Sequence, residues 1–253
     1  MMQPRSPSVF DKTLVRRKGE SEMIKRLGVY TLPKDVDGDD FWHYHTRIHA
    51  EQAKKAFGDY LKRYTINRVR RVIAGEGRWF GMVETWWDNP DDIDRGFQNL
   101  DTTILPNGLS VSDDFGSRVA GYTSFEVDEF VALDKLKGDS VKRMTFYQLA
   151  GGIDGNDFFD YHTQKHATDV LNASQTDYAR KKYIINRIKR VIKGGYPIYG
   201  FIETWWANHA EMDLDLEELG RVTLPDGVSL VKEFFEQVEN VVVYEVEEFI
   251  AKD

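Results

Sequence analysis

The sequence predicts an α+β protein: two fused ferredoxin-like (β-α-β-β-α-β) repeats that close on each other as one barrel. Two observations carry this. The chain repeats itself over nearly its whole length, and each repeat shows the same order of strand and helix signals. IKRLGVYTLPKD at 24 returns as VKRMTFYQLAGG at 141, and RYTINRVRRVI at 63 returns as KYIINRIKRVI at 182. Tyr44, His45, Thr46 and His49 return 117 residues later as Tyr161, His162, Thr163 and His166. GMVETWW at 81 returns 119 residues later as GFIETWW at 200, so two residues were inserted between helix and strand. The repeats cover 22–134 and 141–253, with a short polar linker over 135–140. Residues 1–21 are basic and polar, lack the apolar stretch of a secretory signal, and read as a flexible arm.

Each element has its own signal. A β-rich segment, Met23 to Leu32, opens the first repeat. The acidic run DGDD precedes a helix expected from about Asp40 to Gly58, since acidic side chains suit a helix N-terminus. Two strands follow, Tyr64–Ala74 and Trp79–Trp87, split by the Gly75-Glu76-Gly77 turn. A second helix begins near Asn89-Pro90, where Pro fits a first turn. A long connection with Leu-Pro-Xaa-Gly then leads to a last strand, Gly121 to Leu133. One such repeat leaves a sheet face bare. Two placed sheet against sheet bury both faces, and a linker of a few residues holds them at an effective concentration on the order of mM.

Composition narrows the partners. Hydrophobic residues make up 41% of 253, enough for a sizeable core. The formal net charge of −8 disfavours nucleic acid, whose phosphates need a basic face, and the RVRR and RIKR runs are too short to supply one. No apolar run reaches the length of a membrane span. There is no Cys, which excludes disulfides, thiolate metal sites and thiol nucleophiles and fits a reducing cytoplasm. Glycine-rich phosphate loops and a serine nucleophile elbow are absent too. The partner expected is a small molecule, bound without a cofactor by a monomeric pseudo-dimer or a further homo-oligomer.

Three motifs in order, Tyr44-His45 to His49-Ala50 on a helix, Tyr64 to Asn67-Arg68-Val69 on a strand, and Gly81 to Glu84-Thr85-Trp86 on the next, resemble the EthD-like branch of the dimeric α/β-barrel superfamily. The resemblance covers almost all of both repeats. It implies an intramolecular barrel of the dimeric type. It also implies chemistry of the superfamily: lyases and isomerases that decarboxylate, eliminate or rearrange rings, or cofactor-free monooxygenases, besides members without known activity. Family members usually carry Pro after the His-Ala pair; Glu51 and Thr168 stand there instead, so the helix is expected to run on.

Residues four apart share a helix face, so His45 pairs with His49 and His162 with His166, and Phe41 and Phe158 on the same faces turn them toward the sheet. These histidines are either packed structural groups or an acid–base pair; as the latter, His49 and His166 move the proton, because imidazole titrates near neutrality. Strand alternation puts Glu84 with Phe80, Met82 and Trp86, and Glu203 with Tyr199, Phe201 and Trp205. Each glutamate is either a desolvated acid beside the imidazoles or, for Glu84, a partner of Arg68 or Arg71. Asn67 and Asn186 sit on apolar strand faces, to orient a substrate carbonyl or tie down a loop. Tyr64 and Tyr183, on the opposite face, donate a hydrogen bond or pack. Tyr44, Tyr161, Trp42, Trp86, Trp205 and Tyr199 complete the expected lining. No metal is expected: two histidines and a glutamate admit a two-His, one-carboxylate site, but Thr46 and Thr163 stand where a zinc-peptidase helix needs Glu. The reading is a cofactor-independent lyase or isomerase acting on a small aromatic or polyketide-like compound, with a cofactor-free monooxygenase and a non-catalytic ligand-binding or stress-related barrel as its rivals.

Overall fold

Strand alternation and the repeat together build a closed barrel of eight antiparallel strands. The computed structural model describes residues 23–173 and 180–253; the expected arm over 1–21 lies outside them. In the first half, β1 (Ile24–Thr31) leads to a helix in three pieces, α1 (Gly38–His43), a π-helical turn (Tyr44–His49) and α2 (Ala50–Phe57). Strands β2 (Leu61–Ala74) and β3 (Gly81–Trp87), helices α3 (Pro90–Thr102) and α4 (Val111–Gly116), and β4 (Gly121–Asp134) follow. The second half repeats this as β5 (Val141–Leu149), α5 (Gly155–Asp160), a π-helical turn (Tyr161–His166), α6 (Ala167–Ala173), β6 (Lys182–Lys193), β7 (Gly200–Trp206), α7 (His209–Arg221), α8 (Leu230–Phe235) and β8 (Val238–Lys252).

Around the barrel the order is β1-β3-β2-β8-β5-β7-β6-β4. Each half contributes a 4-1-3-2 sheet, and the seams are β2 with β8 and β4 with β6. Long edge strands make this possible. One end of β2 pairs with β3, and the strand continues beyond it along β8 as far as Ala74. Inward side chains of all eight strands, among them Leu27, Phe125, Met144, Phe201 and Tyr244, fill the barrel, and the helices cover its outside.

Two features depart from expectation. Capping matches the acidic start: Asp37 accepts from the backbone N–H of Asp39 and Asp40, as Asp154 does from Asn156 and Asp157. Yet the helix is not α-helical throughout, because both histidine segments wind as π-turns, closed by Ala50 N–H to His45 O and Ala167 N–H to His162 O. Thr46 and Thr163 donate to the carbonyls of Trp42 and Phe159, four residues back, a back-bond that competes with regular helix pairing and bends the turn. Inserted π-turns mark functional segments more often than ordinary helix. The second departure is that the long connection holds α4 and α8, whose Phe115 and Phe234 stack on His49 and His166 at 4.6 and 4.9 Å.

Candidate active site in the first half

Between the helices and the outer face of the sheet lies a cavity of about 290 Å³, near the lower end for ligand pockets. Each wall follows from local structure. Strand β1 alternates, so Arg26, Gly28 and Tyr30 face outward while Lys25, Leu27 and Val29 face the barrel interior. Tyr64 comes from β2, Val83 and Thr85 from β3, and Tyr122 and Ser124 from β4. The π-turn supplies His45 and His49, and α3 and α4 supply Phe97 and Phe115. Ile192 and Lys193 of the second half complete the rim across the β4–β6 seam.

His45 is fully buried, its Nδ1 bonded to Tyr30 Oη at 2.9 Å, and its Nε2 has no partner among the described residues. His49 is 5% exposed and its Nδ1 is also unpartnered. The ring centroids stand 5.5 Å apart. Burial depresses the basicity of His49 to about 4 and that of His45 well below the usual imidazole range, with the neighbouring ring adding to the latter. Titration near neutrality, expected above, is therefore corrected: at pH 7 both rings are neutral. Burial also holds the Tyr64 phenol well above its ordinary value.

The second half has a matching cavity of about 280 Å³ reached by His166, Tyr183 and Arg143. Here the imidazoles are occupied. His162 has Tyr147 Oη at 3.2 Å from Nδ1 and Tyr183 Oη at 3.4 Å from Nε2, and His166 Nδ1 lies 3.4 Å from Tyr161 Oη. Tyr161 also donates to Glu233 at 2.9 Å. The equivalent Tyr44, whose ring centroid is 6.0 Å from that of His49, donates to Asp114 at 2.6 Å. Burial likewise lowers His166 to about 4 and pushes the Tyr183 phenol up to about 12.

Several expected site residues lie elsewhere. Glu84, Glu203, Asn67, Asn186, Trp86 and Trp205 point into the barrel, across the sheet from the imidazoles, so neither glutamate partners a histidine. Alternation placed them together on one face but could not say that the helices cover the other. Glu84 does not pair with Arg68 or Arg71 either, which bind Asp39 and Glu245. Its partners are Lys25 at 2.8 Å and Lys142 at 2.9 Å, and the same lysines reach Glu203 at 2.5 and 2.7 Å. Glu129 joins Lys25 and Glu248 joins Lys142, at 2.8 and 2.9 Å. Asn67 and Asn186 donate to Glu84 and Glu203 at 2.7 and 3.0 Å, and the indoles of Trp86 and Trp205 donate to Glu129 and Glu248 at 3.4 and 3.3 Å. The asparagines thus orient neither substrate nor loop. Of the remaining aromatics, Trp42 packs on Phe249, and Tyr199 donates to the Gly155 carbonyl. A two-histidine, one-carboxylate metal site loses its carboxylate by the same geometry, and among the described residues no group of three or more His, Asp or Glu is placed to hold a metal.

Lys25, Lys142, Arg26 and Arg143 were missed. The signal was present: extending period two along Lys25-Arg26-Leu27-Gly28-Val29 puts Lys25 with the core residues and Arg26 against the helices.

No family model and no curated protein matches the sequence. Solved structures do share the fold. A protein of Fusobacterium nucleatum whose name proposes a monooxygenase aligns at TM-score 0.59 and 7% identity, covering 90% of this chain and 93% of its own. A Lactobacillus acidophilus protein whose name also proposes a monooxygenase aligns at 0.54 and 13%, covering 91% and 96%. An anthrone oxidase-like protein aligns at 0.53 and 12%, covering 93% and 95%. The shared architecture is the dimeric α/β barrel; identities this low speak for the fold alone. Among the described residues no helix is long and apolar enough to cross a membrane.

Proposed function

We propose that the first-half cavity is the active site of an enzyme that needs no resident cofactor and removes a proton from a small phenol or enolisable, polyketide-like aromatic ketone. One observation carries the reading: two buried imidazole nitrogens, His45 Nε2 and His49 Nδ1, lack partners beside an aromatic-lined cavity. A neutral imidazole is ready to accept a proton at pH 7, and a low-dielectric wall strengthens its bonds to a developing charge. When His45 Nδ1 donates to Tyr30, its Nε2 offers a lone pair to the substrate. His49, stacked on Phe115, is the second acceptor, and Tyr64, which lines the same cavity, supplies a phenol to share the developing negative oxygen.

Oxygenation is the favoured fate of that anion. The names of the structural neighbours, two proposing monooxygenases and one anthrone oxidase-like, support it. In this route the carbanion adds dioxygen to give a substrate hydroperoxide, which loses water to leave a carbonyl, so one O2 becomes one carbonyl oxygen and one water. The EthD-like motifs support the second reading, in which the same anion expels carbon dioxide or a leaving group, or rearranges, as a lyase or isomerase. Turnover of an anthrone- or naphthol-type substrate in an oxygen electrode tests both. Oxygen uptake matched to product supports the first reading, and anaerobic product formation supports the second. His45→Ala/His49→Ala should cost at least ~100-fold in turnover; an unchanged rate discards proton abstraction by this pair.

A further inference from the structure

The cavity wall on β1 carries a cation, Arg26, that forms no ion pair among the described residues, with Glu126 and Asp94 acting on it only from a distance. Arg26 is half-buried, its Nε is buried without a hydrogen-bond partner, and its guanidinium stacks on Phe97 at 4.3 Å. Its cross-strand neighbour is Glu126, but that carboxylate is taken by Lys189 at 2.9 Å and Arg190 at 2.8 Å. At the exposed rim stands Lys193, which has no ion pair among the described residues. In a chain with 42 acidic and 34 basic residues, an arginine and a lysine line one cavity whose single lining carboxylate, Asp101, is bound to neither among the described residues. A desolvated guanidinium is costly unless a planar anion meets it, and Arg presents the fork geometry that a carboxylate fits.

Position fixes the ligand's shape. Arg26 and Tyr30, which holds His45, are four residues apart on the same face of β1, so about 13 Å of strand separates the cationic end from the imidazole end. Between them lies Gly28, over which the Tyr122 ring sits so closely that a Cβ would meet its ring carbons at 2.9 Å. The floor is therefore flat and suits a planar ring system.

Resting on the reading of this cavity as the active site, we infer that its substrate is an aromatic acid of roughly bicyclic to tricyclic length, whose carboxylate is held by Arg26 and drawn in by Lys193 while its phenol or ketone faces His45 and His49. Arg26 is then a binding and specificity residue. The second half lacks this combination, because Ala74 stands at the position of Lys193 and Val241 at that of Tyr122.

Calorimetric titration of the whole protein with 6-hydroxy-2-naphthoate, whose carboxylate and hydroxyl lie at opposite ends of the bicycle, and with its neutral carboxamide tests this without needing turnover. The naphthoate should bind at least ~10-fold more tightly, and higher salt should narrow the gap. Arg26→Gln should bring the two within about 2-fold of each other by weakening the naphthoate alone, Arg26→Lys should keep part of the preference, and Arg143→Gln should leave it intact. Equal binding of both compounds, binding of neither, or equal weakening of both by Arg26→Gln would overturn the inference. A carboxylate preference that Arg26→Gln erases, alongside an unchanged rate in the His45→Ala/His49→Ala protein, would leave this inference standing and sink the catalytic reading.

Discussion

The two halves are alike inside the barrel and unlike outside it. Within the barrel each half gives one lysine and two glutamates, and each lysine bridges the glutamates of both halves, Lys25 meeting Glu203 at 2.5 Å and Lys142 meeting Glu84 at 2.9 Å. Outside, each half has the same π-turn and histidine pair but different occupants of the imidazoles. In the first, His45 Nε2 and His49 Nδ1 have no partner among the described residues; in the second, Tyr183 and Tyr161 stand within reach of His162 Nε2 and His166 Nδ1. A further buried set, Arg180 to Asp215 at 2.8 Å with Trp206 donating to the same carboxylate, occupies the second half where the first has Leu61 and Gly96. What joins the halves is paired alike in both, and what lines the two outer cavities differs.

The largest effect should come from breaking the shared interior. Lys25→Met or Lys142→Met leaves Glu84 and Glu203 buried with one cation instead of two, and each should cost about 3–5 kcal/mol in urea unfolding. Because each lysine serves both glutamates, the two losses should agree. A loss confined to one variant would show that the halves are not tied symmetrically. Replacing Lys25, Lys142, Glu84 and Glu203 together with apolar residues of similar volume should recover most of the stability, since the penalty lies in the unpaired charge.

The next effect separates what the histidines share from what they do not. Burial lowers the folded-state basicity of His49 and His166 to about 4 from an ordinary 6.5. The unfolded chain therefore binds more protons between these values, and stability falls as pH drops from 6.5 to 4, by on the order of 3 kcal/mol for each ring. Above 6.5 these rings contribute no pH dependence. His49→Phe and His166→Phe should each flatten the curve by a similar amount, because burial is common to both halves. Activity should not be shared in this way: turnover should stay level from pH 5 to 8, and only first-half substitutions should abolish it. An acid limb near pH 6.5 would mean that the catalytic imidazole is far better hydrated than its burial implies.

How much of this could be read from the chain alone depends on periodicity. The repeat, the order of elements and the inward turn of Phe41 toward the sheet follow from local spacing, and so does the pairing of the histidines on one face. What periodicity cannot supply is which sheet face meets the other half. Glu84 and His49 both read as buried polar groups, yet they lie on opposite sides of one sheet, a fact set by how two sheets close. The lysines escaped notice because a Lys in a strand reads as solvated, and its burial makes sense only when the partner half brings Glu203 to Lys25 and Glu84 to Lys142. The free nitrogens are less legible still. Tyr44 and Tyr161 are the same residue type in the same motif, and each donates to the acid at the matching position, Asp114 or Glu233, so the sequence pattern alone does not separate the two halves.

The smallest expected effect tests whether the floor of the first cavity is what distinguishes it. Gly28 is matched in the second half by Thr145, and Tyr122 by Val241. A side chain at 28 must displace the Tyr122 phenol, which otherwise lies across the glycine. Gly28→Thr should therefore cost about 1–3 kcal/mol and weaken binding of the planar carboxamide as well as the naphthoate, since the obstruction is steric. Adding Tyr122→Val recreates the second half's pair and should restore most of the stability, because the clash disappears. It should not restore binding, because the aromatic floor is gone. Calorimetry on the two variants reads stability and affinity separately. If the double variant regains both, the flat floor does not select the ligand, and the difference between the halves rests on Arg26, Lys193 and the free imidazole nitrogens.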